Sequence, residues 1–229
     1  MRNRFDQQLH HLDEQLTHMG KLCEIAISKV TQALKEGSAG QARIVVAEDE
    51  EIDQMEKEIE RLCLKLLLQQ QPVAKDLRRI SAALKMITDM ERIGDHSENL
   101  CELAQTLKKS KQKFSPWAVE QATEMRNRVE AMLEEALQMF ASRETQPQMA
   151  ADINRREEII DDATQELKDL HIERLNQGKC SVVAGTVFMD MLTNLERIAD
   201  HCTNIAYSMT NQKNHELQST IPVEPVAVR

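Results

Sequence analysis

The chain has 229 residues, a formal net charge of −9, 3% aromatic residues, and only six glycines and five prolines. That charge, with no Lys/Arg block interleaved with aromatics, excludes the usual nucleic-acid binder. Abundant Leu, Met, Ala, Glu, Lys and Gln with so few breakers excludes a sheet protein in favour of helices, in one large domain or two of about a hundred residues.

The first stretch opens with Met1-Arg2-Asn3-Arg4-Phe5-Asp6 and no apolar leader core follows. No run approaches the roughly 20 apolar residues of a membrane span, so a cytoplasmic protein is expected. Gly37-Ser38-Ala39-Gly40 breaks the chain. The second stretch carries Ile52, Met55, Ile59, Leu62 and Leu66 on one helical stripe and stops at Gln71-Pro72, where Pro opens a third helix. That helix has Leu77, Ile80, Leu84 and Ile87 in phase. Ser115-Pro116 reads as N-cap and N1 of a fourth, while Gln146-Pro147 and Asn176-Gln177-Gly178 delimit the fifth and sixth. From about His215 periodicity is lost around Pro222 and Pro225, which predicts a frayed tail. Cys23, Cys63, Cys101, Cys180 and Cys202 form no CxxC pair, and most lie in apolar stripes as structural thiols of a reducing compartment.

One motif occurs twice. Glu91-Arg92-Ile93-Gly94-Asp95-His96, with Asn99, returns 105 residues later as Glu196-Arg197-Ile198-Ala199-Asp200-His201, with Asn204. Upstream, at a slightly larger offset, Asp49 and Asp53 fall on Glu157 and Asp161. Duplication of a three-helix unit follows. The expected fold is all-α: two tandem three-helix bundles, over 1–112 and 113–214, with 215–229 as tail.

The duplicated acids pair at i, i+4 and share a helix face. Asp53 and Glu91 lie at roughly 27 and 30 Å from the turn at Gln71, so they stand level, with Asp49 and Asp95 one turn further out. Asp161 and Glu196 match about Gly178 in the same way, with Glu157 and Asp200 beyond. Four carboxylates per bundle should therefore converge if both pairs face one groove. Such crowding calls for solvation, for pairing with Arg92 and Arg197, or for a cation. All-oxygen donors suit hard ions such as Mg²⁺, Mn²⁺ or Ca²⁺, with carboxylate-bridged iron or zinc as further choices. Asn99 and Asn204, eight residues beyond the glutamates, extend the stripe as ligands or as interhelical hydrogen bonders. His96 and His201 lie about 100° round the helix and belong to another face.

At these residues, and at Glu48-Asp49-Glu50-Glu51-Ile52-Asp53 and Pro72-Val73-Ala74-Lys75-Asp76-Leu77-Arg78-Arg79, the chain resembles the PhoU family of phosphate-uptake regulators. The similarity runs from Arg4 to about Asn211. It implies metal clusters on the bundle surface held by Asp49, Asp53, Glu91, Asp95, Glu157, Asp161, Glu196 and Asp200. It also implies a negative regulator of the phosphate-starvation response, joining a phosphate ABC transporter ATPase to a sensor histidine kinase. A homodimer is expected, with membrane association only through those partners and with Asp76, Arg78 and Arg79 as docking residues. Ala199 in place of Gly94 is a mild departure, and the second repeat has Cys180-Ser181-Val182-Val183 where the first has Lys75-Asp76-Leu77-Arg78. The rival class is a carboxylate-bridged metalloenzyme. Di-iron bundles place His three residues after Glu, whereas here each His is five residues on, so no enzyme is expected.

Overall fold

The computed structural model describes residues 2–36, 39–69, 72–141 and 147–210. It forms six α-helices in chain order: α1 (Arg2–Glu36), α2 (Ala39–Gln69), α3 (Ala74–Lys109), α4 (Pro116–Ala141), α5 (Pro147–Asn176) and α6 (Val182–Ser208). The tail from His215 lies outside the described residues, as does Gln71 at the second break.

The breaks act as their chemistry dictates. Pro116 opens α4, and the Ser115 hydroxyl accepts from Ala118 N at 3.3 Å. Pro72 behaves differently: α3 opens two residues later, at Ala74, after an extended Val73 that supplies no side-chain cap. Ser181 caps α6 by accepting from Ala184 N at 3.2 Å. Ser181→Ala should cost about 1 kcal/mol in urea denaturation.

Helices α1, α2 and α3 pack on one another, and so do α4, α5 and α6. The two units meet chiefly along α3 and α6, with α1 also touching α4. His96 on α3 meets Asn194 on α6, while Asp89 meets His201, so the two helices run antiparallel. All six helices feed one apolar core, in which Leu16, Ile59, Met90, Met132, Ile153 and Phe188 are fully buried. Each such side chain contributes roughly 1.5–3 kcal/mol by leaving water. The aliphatic, Met-rich filling adapts to an uneven gap between six long helices better than rigid aromatics would.

One stripe residue departs from the pattern. Leu77 is 49% exposed, in the first turn of α3 beside the hairpin, where neighbouring helices give less cover. Among the described residues no helix is long and apolar enough to cross a membrane.

Candidate metal centre

Antiparallel packing of α2 on α3 and of α5 on α6 brings each pair of acidic turns together. In the second unit, one oxygen each from Glu157, Asp161 and Asp200 lies within 4.8 Å of the others. Burial, the approach of Asp200 and the charge of Asp161 push Glu157 up to about 7. Asp161 is raised by burial, then by Glu196 and Asp200. Glu196, the fourth expected member, instead takes a salt bridge from Lys168 Nζ at 3.1 Å.

The first unit is more acidic and more spread out. Burial pushes Asp49 up to about 7, helped by Glu98, Asp95, Asp53 and Glu91. Glu91 is raised by burial and Asp95, against the pull of Arg92. Arg92 bridges its own helix, at 3.4 Å from Glu91 and 2.9 Å from Asp95, as an orienting cation should. Lys57 lies 4.0 Å from Asp53. Glu56 accepts from Thr88 across the α2–α3 groove at 3.4 Å.

Two members of this patch were missed by the sequence reading. Glu56 neighbours Glu91, and Glu98 neighbours Asp49 and Asp95. Helical phase could have found Glu98: seven residues return a helix to within about 20° of its start, whereas eight carry it about 80° past. By the repeat offsets, Glu56 and Glu98 correspond to Thr164 and Thr203. Both hydroxyls are buried without a hydrogen-bond partner. The two patches therefore differ: Glu56 and Glu98 add carboxylates to the first where the second has Thr164 and Thr203, and Lys168 reaches Glu196 in the second.

Asn99 and Asn204 are not in the acidic grooves. Asn204 Nδ2 donates to Asp89 Oδ1 at 3.2 Å, between α6 and α3. Asn99 lines the α3–α6 groove with Glu102, Asp190, Asn194 and Arg197. Arg197 thus departs from the role of Arg92, and Lys168 on α5 serves Glu196 in its place. His96 and His201 occupy another face, as the 100° offset requires. They stack with centroids 5.7 Å apart, and each donates from Nδ1 across the seam over 2.9 Å, His96 to Asn194 and His201 to Asp89. Asp89 and Asn194 are themselves 105 residues apart. The repeated motif therefore has two faces: its acids look into each unit's groove, and His96, His201 and Asn204 tie the units together.

Gly94 is also part of the site. A Cβ there would lie 2.6 Å from Asp49 Oδ1 and 3.2 Å from Ile52 Cδ1. The second unit tolerates Ala199 where its partner acid, Glu157, has one more methylene than Asp49. Of the residues expected to dock a partner, Arg79 is engaged with Asp13 of α1, while Asp76 and Arg78 stand in the first turns of α3 with Arg78 exposed.

The arrangement can hold hard cations. Asp49 Oδ1 and Asp161 Oδ1, one in each patch, are buried and accept from no N–H or hydroxyl, while a carboxyl proton is shared between Asp49 and Glu98 and between Asp161 and Glu157. Such acceptors are costly to bury unless a proton or a cation meets them.

The PhoU domain family model matches this chain twice, over residues 16–104 and 122–209. A phosphate-specific transport system accessory protein PhoU homolog of Clostridium acetobutylicum is 30% identical over 205 residues, 89% of this chain and 91% of the relative. The homolog of that name from Synechocystis is 31% identical, over 90% of this chain and 89% of the relative. The crystal structure of PhoU from Pseudomonas aeruginosa superposes with a TM-score of 0.83 at 28% identity, covering 92% of this chain and 99% of that one. The phosphate transport system regulatory protein PhoU of Streptococcus pneumoniae superposes with a TM-score of 0.81 at 27% identity, covering 93% and 98%. With both repeats matched and nearly the full length superposed, the chain belongs to the PhoU family.

Proposed function

We propose that this protein is a cytoplasmic negative regulator of phosphate uptake and of the phosphate-starvation response. It acts as a non-enzymatic adaptor between a phosphate-specific ABC transporter and a sensor histidine kinase. The observation that carries this reading is the family match over both repeats, with relatives named as accessory proteins of the phosphate-specific transport system. The physics agrees in one respect. A chain of net charge −9 with acidic faces repels free phosphate, so phosphate is sensed through the transporter.

Each acidic groove holds hard divalent or ferric ions. Asp49, Asp53, Glu91, Asp95 and Glu98 serve the first, and Glu157, Asp161, Glu196 and Asp200 the second. The buried oxygens of Asp49 and Asp161 support this assignment. A bound cation supplies the positive charge that lets crowded carboxylates stay ionised. The protein's own part is to hold α2 against α3, and α5 against α6, so that the acids meet.

The regulatory reading is tested by deleting the gene and measuring phosphate-starvation transcripts in phosphate-rich medium. Strong induction is expected, and restoration of the gene should reverse it. Unchanged transcripts would reject the proposal. A pull-down from membranes should retain the transporter ATPase and the kinase.

A further inference from the structure

One buried titratable side chain has no part in the acidic grooves. His171 on α5 is 2% exposed and packs in an aromatic cluster, stacked on Trp117 at 6.2 Å between ring centroids and tilted against Phe188 at 4.7 Å. Its Nδ1 has no hydrogen-bond partner. Its Nε2 lies 3.8 Å from the Sγ of Cys180, on the turn before α6. Cys180 is half-buried, whereas the other four cysteines, all free thiols, are buried.

The surroundings are shaped for this contact. Gly185 faces the imidazole across the α5–α6 groove, and a Cβ there would lie 3.1 Å from His171 Nε2 and 2.7 Å from Leu175 Cδ2. Arg174 lies over the Trp117 ring at 4.3 Å and donates to Ser115 Oγ at 3.0 Å. The pair is not a product of the duplication: by the repeat offsets, His171 corresponds to Cys63 and Cys180 to Lys75. Burial, with Arg174 nearby, lowers the pKa of His171. The ring is therefore a neutral base beside a reachable thiol, the arrangement that activates a cysteine nucleophile.

We propose that Cys180, with His171 as its general base, is an oxidative modification site for hydroperoxides. Sγ attacks one oxygen of the peroxide, so that an S–O bond forms and the O–O bond breaks. The thiol proton passes to His171 Nε2 and then to the departing hydroxide. With hydrogen peroxide the products are a sulfenic acid on Cys180 and water: sulfur loses two electrons and the peroxide gains them. The change sets a polar group beside Val182 and Val183, which are 76% and 43% exposed at the hairpin tip.

The test uses the full chain, hydrogen peroxide, dimedone to trap the sulfenic acid, and mass spectrometry over a pH series. The adduct is expected on Cys180 and is absent in Cys180→Ser. Near neutral pH, His171→Phe and His171→Gln should each slow its formation by about tenfold or more, as loss of a general base does. The Phe variant preserves the aromatic packing and the Gln variant preserves polarity. At a pH where hydroxide ionises thiols unaided, variants and native protein should converge. An adduct mainly on another cysteine would overturn the proposal. So would equal rates at neutral pH, or the same slowing at every pH, which marks a packing effect alone.

Discussion

Stripped of metal, the protein should lose thermal stability as pH rises from about 4 to about 7. Asp49 titrates about 7 when folded against an ordinary value of 3.8, and Glu157 about 7 against 4.5. Between those limits the folded chain keeps protons that the unfolded chain has released. The proton count is then higher in the native state, so stability falls with increasing pH through that window. Below it both states are protonated, and above it both are ionised and the repulsion is fully expressed. On the proposed metal reading, a bound cation would replace those protons. Mn²⁺ added near pH 7.5 should therefore raise the melting temperature by several degrees and release protons on binding. Affinity should weaken as pH falls below about 7. Melting curves across pH, with chelator and with Mn²⁺, check both halves. A metal-free protein that gains stability through the window would overturn the raised values of Asp49 and Glu157, and one that Mn²⁺ leaves unchanged would sink the metal assignment. Glu91→Gln/Asp95→Asn and Glu157→Gln/Asp200→Asn should each remove one patch's share of bound metal, with the larger share lost from the first.

Gly94→Ala should abolish most metal binding at the first patch while scarcely altering the fold. The new methyl would meet Asp49 Oδ1 at 2.6 Å, and the carboxylate, at the end of a short flexible side chain, must swing out of the groove. Contact with Ile52 Cδ1 at 3.2 Å adds a minor repacking cost. A loss of metal affinity of about 10–100-fold is expected, the range seen when groups that orient ligands are disturbed. The second unit suggests the remedy. It pairs Ala199 with Glu157 where the first pairs Gly94 with Asp49, so Gly94→Ala/Asp49→Glu should recover much of the affinity. Isothermal titration with Mn²⁺ on the single and double variants measures this. A single variant that binds like the native protein would show that Asp49 is not a ligand.

In the sequence, Ala199 for Gly94 looks mild, since both suit a helix. Across the α2–α3 groove the position is tight, since a Cβ at Gly94 would meet Asp49, and the second unit carries Ala199 together with the longer Glu157. The extra charge of the first patch, from Glu56 and Glu98, and the Lys168–Glu196 pair of the second make the halves electrostatically unequal. Duplication kept the scaffold while the two sites diverged.

Helix number, approximate ends and the duplication were all readable from the chain. Breakers such as Ser115-Pro116 act within one turn, and an apolar stripe at 3.6 spacing declares its buried face locally. The level pairing of Asp53 with Glu91, and of Asp161 with Glu196, also followed from a rise per residue counted back to one turn. What only the tertiary structure decided was the rotation of each helix about its axis and the identity of its neighbour. That rotation placed Asn99 and Asn204 in the α3–α6 seam rather than with the acids. It set Arg197 along the α3–α6 groove, and it set His171 against Cys180. Each helix satisfies its own periodicity over a range of rotations, and side chains on separate helices meet only after packing selects one.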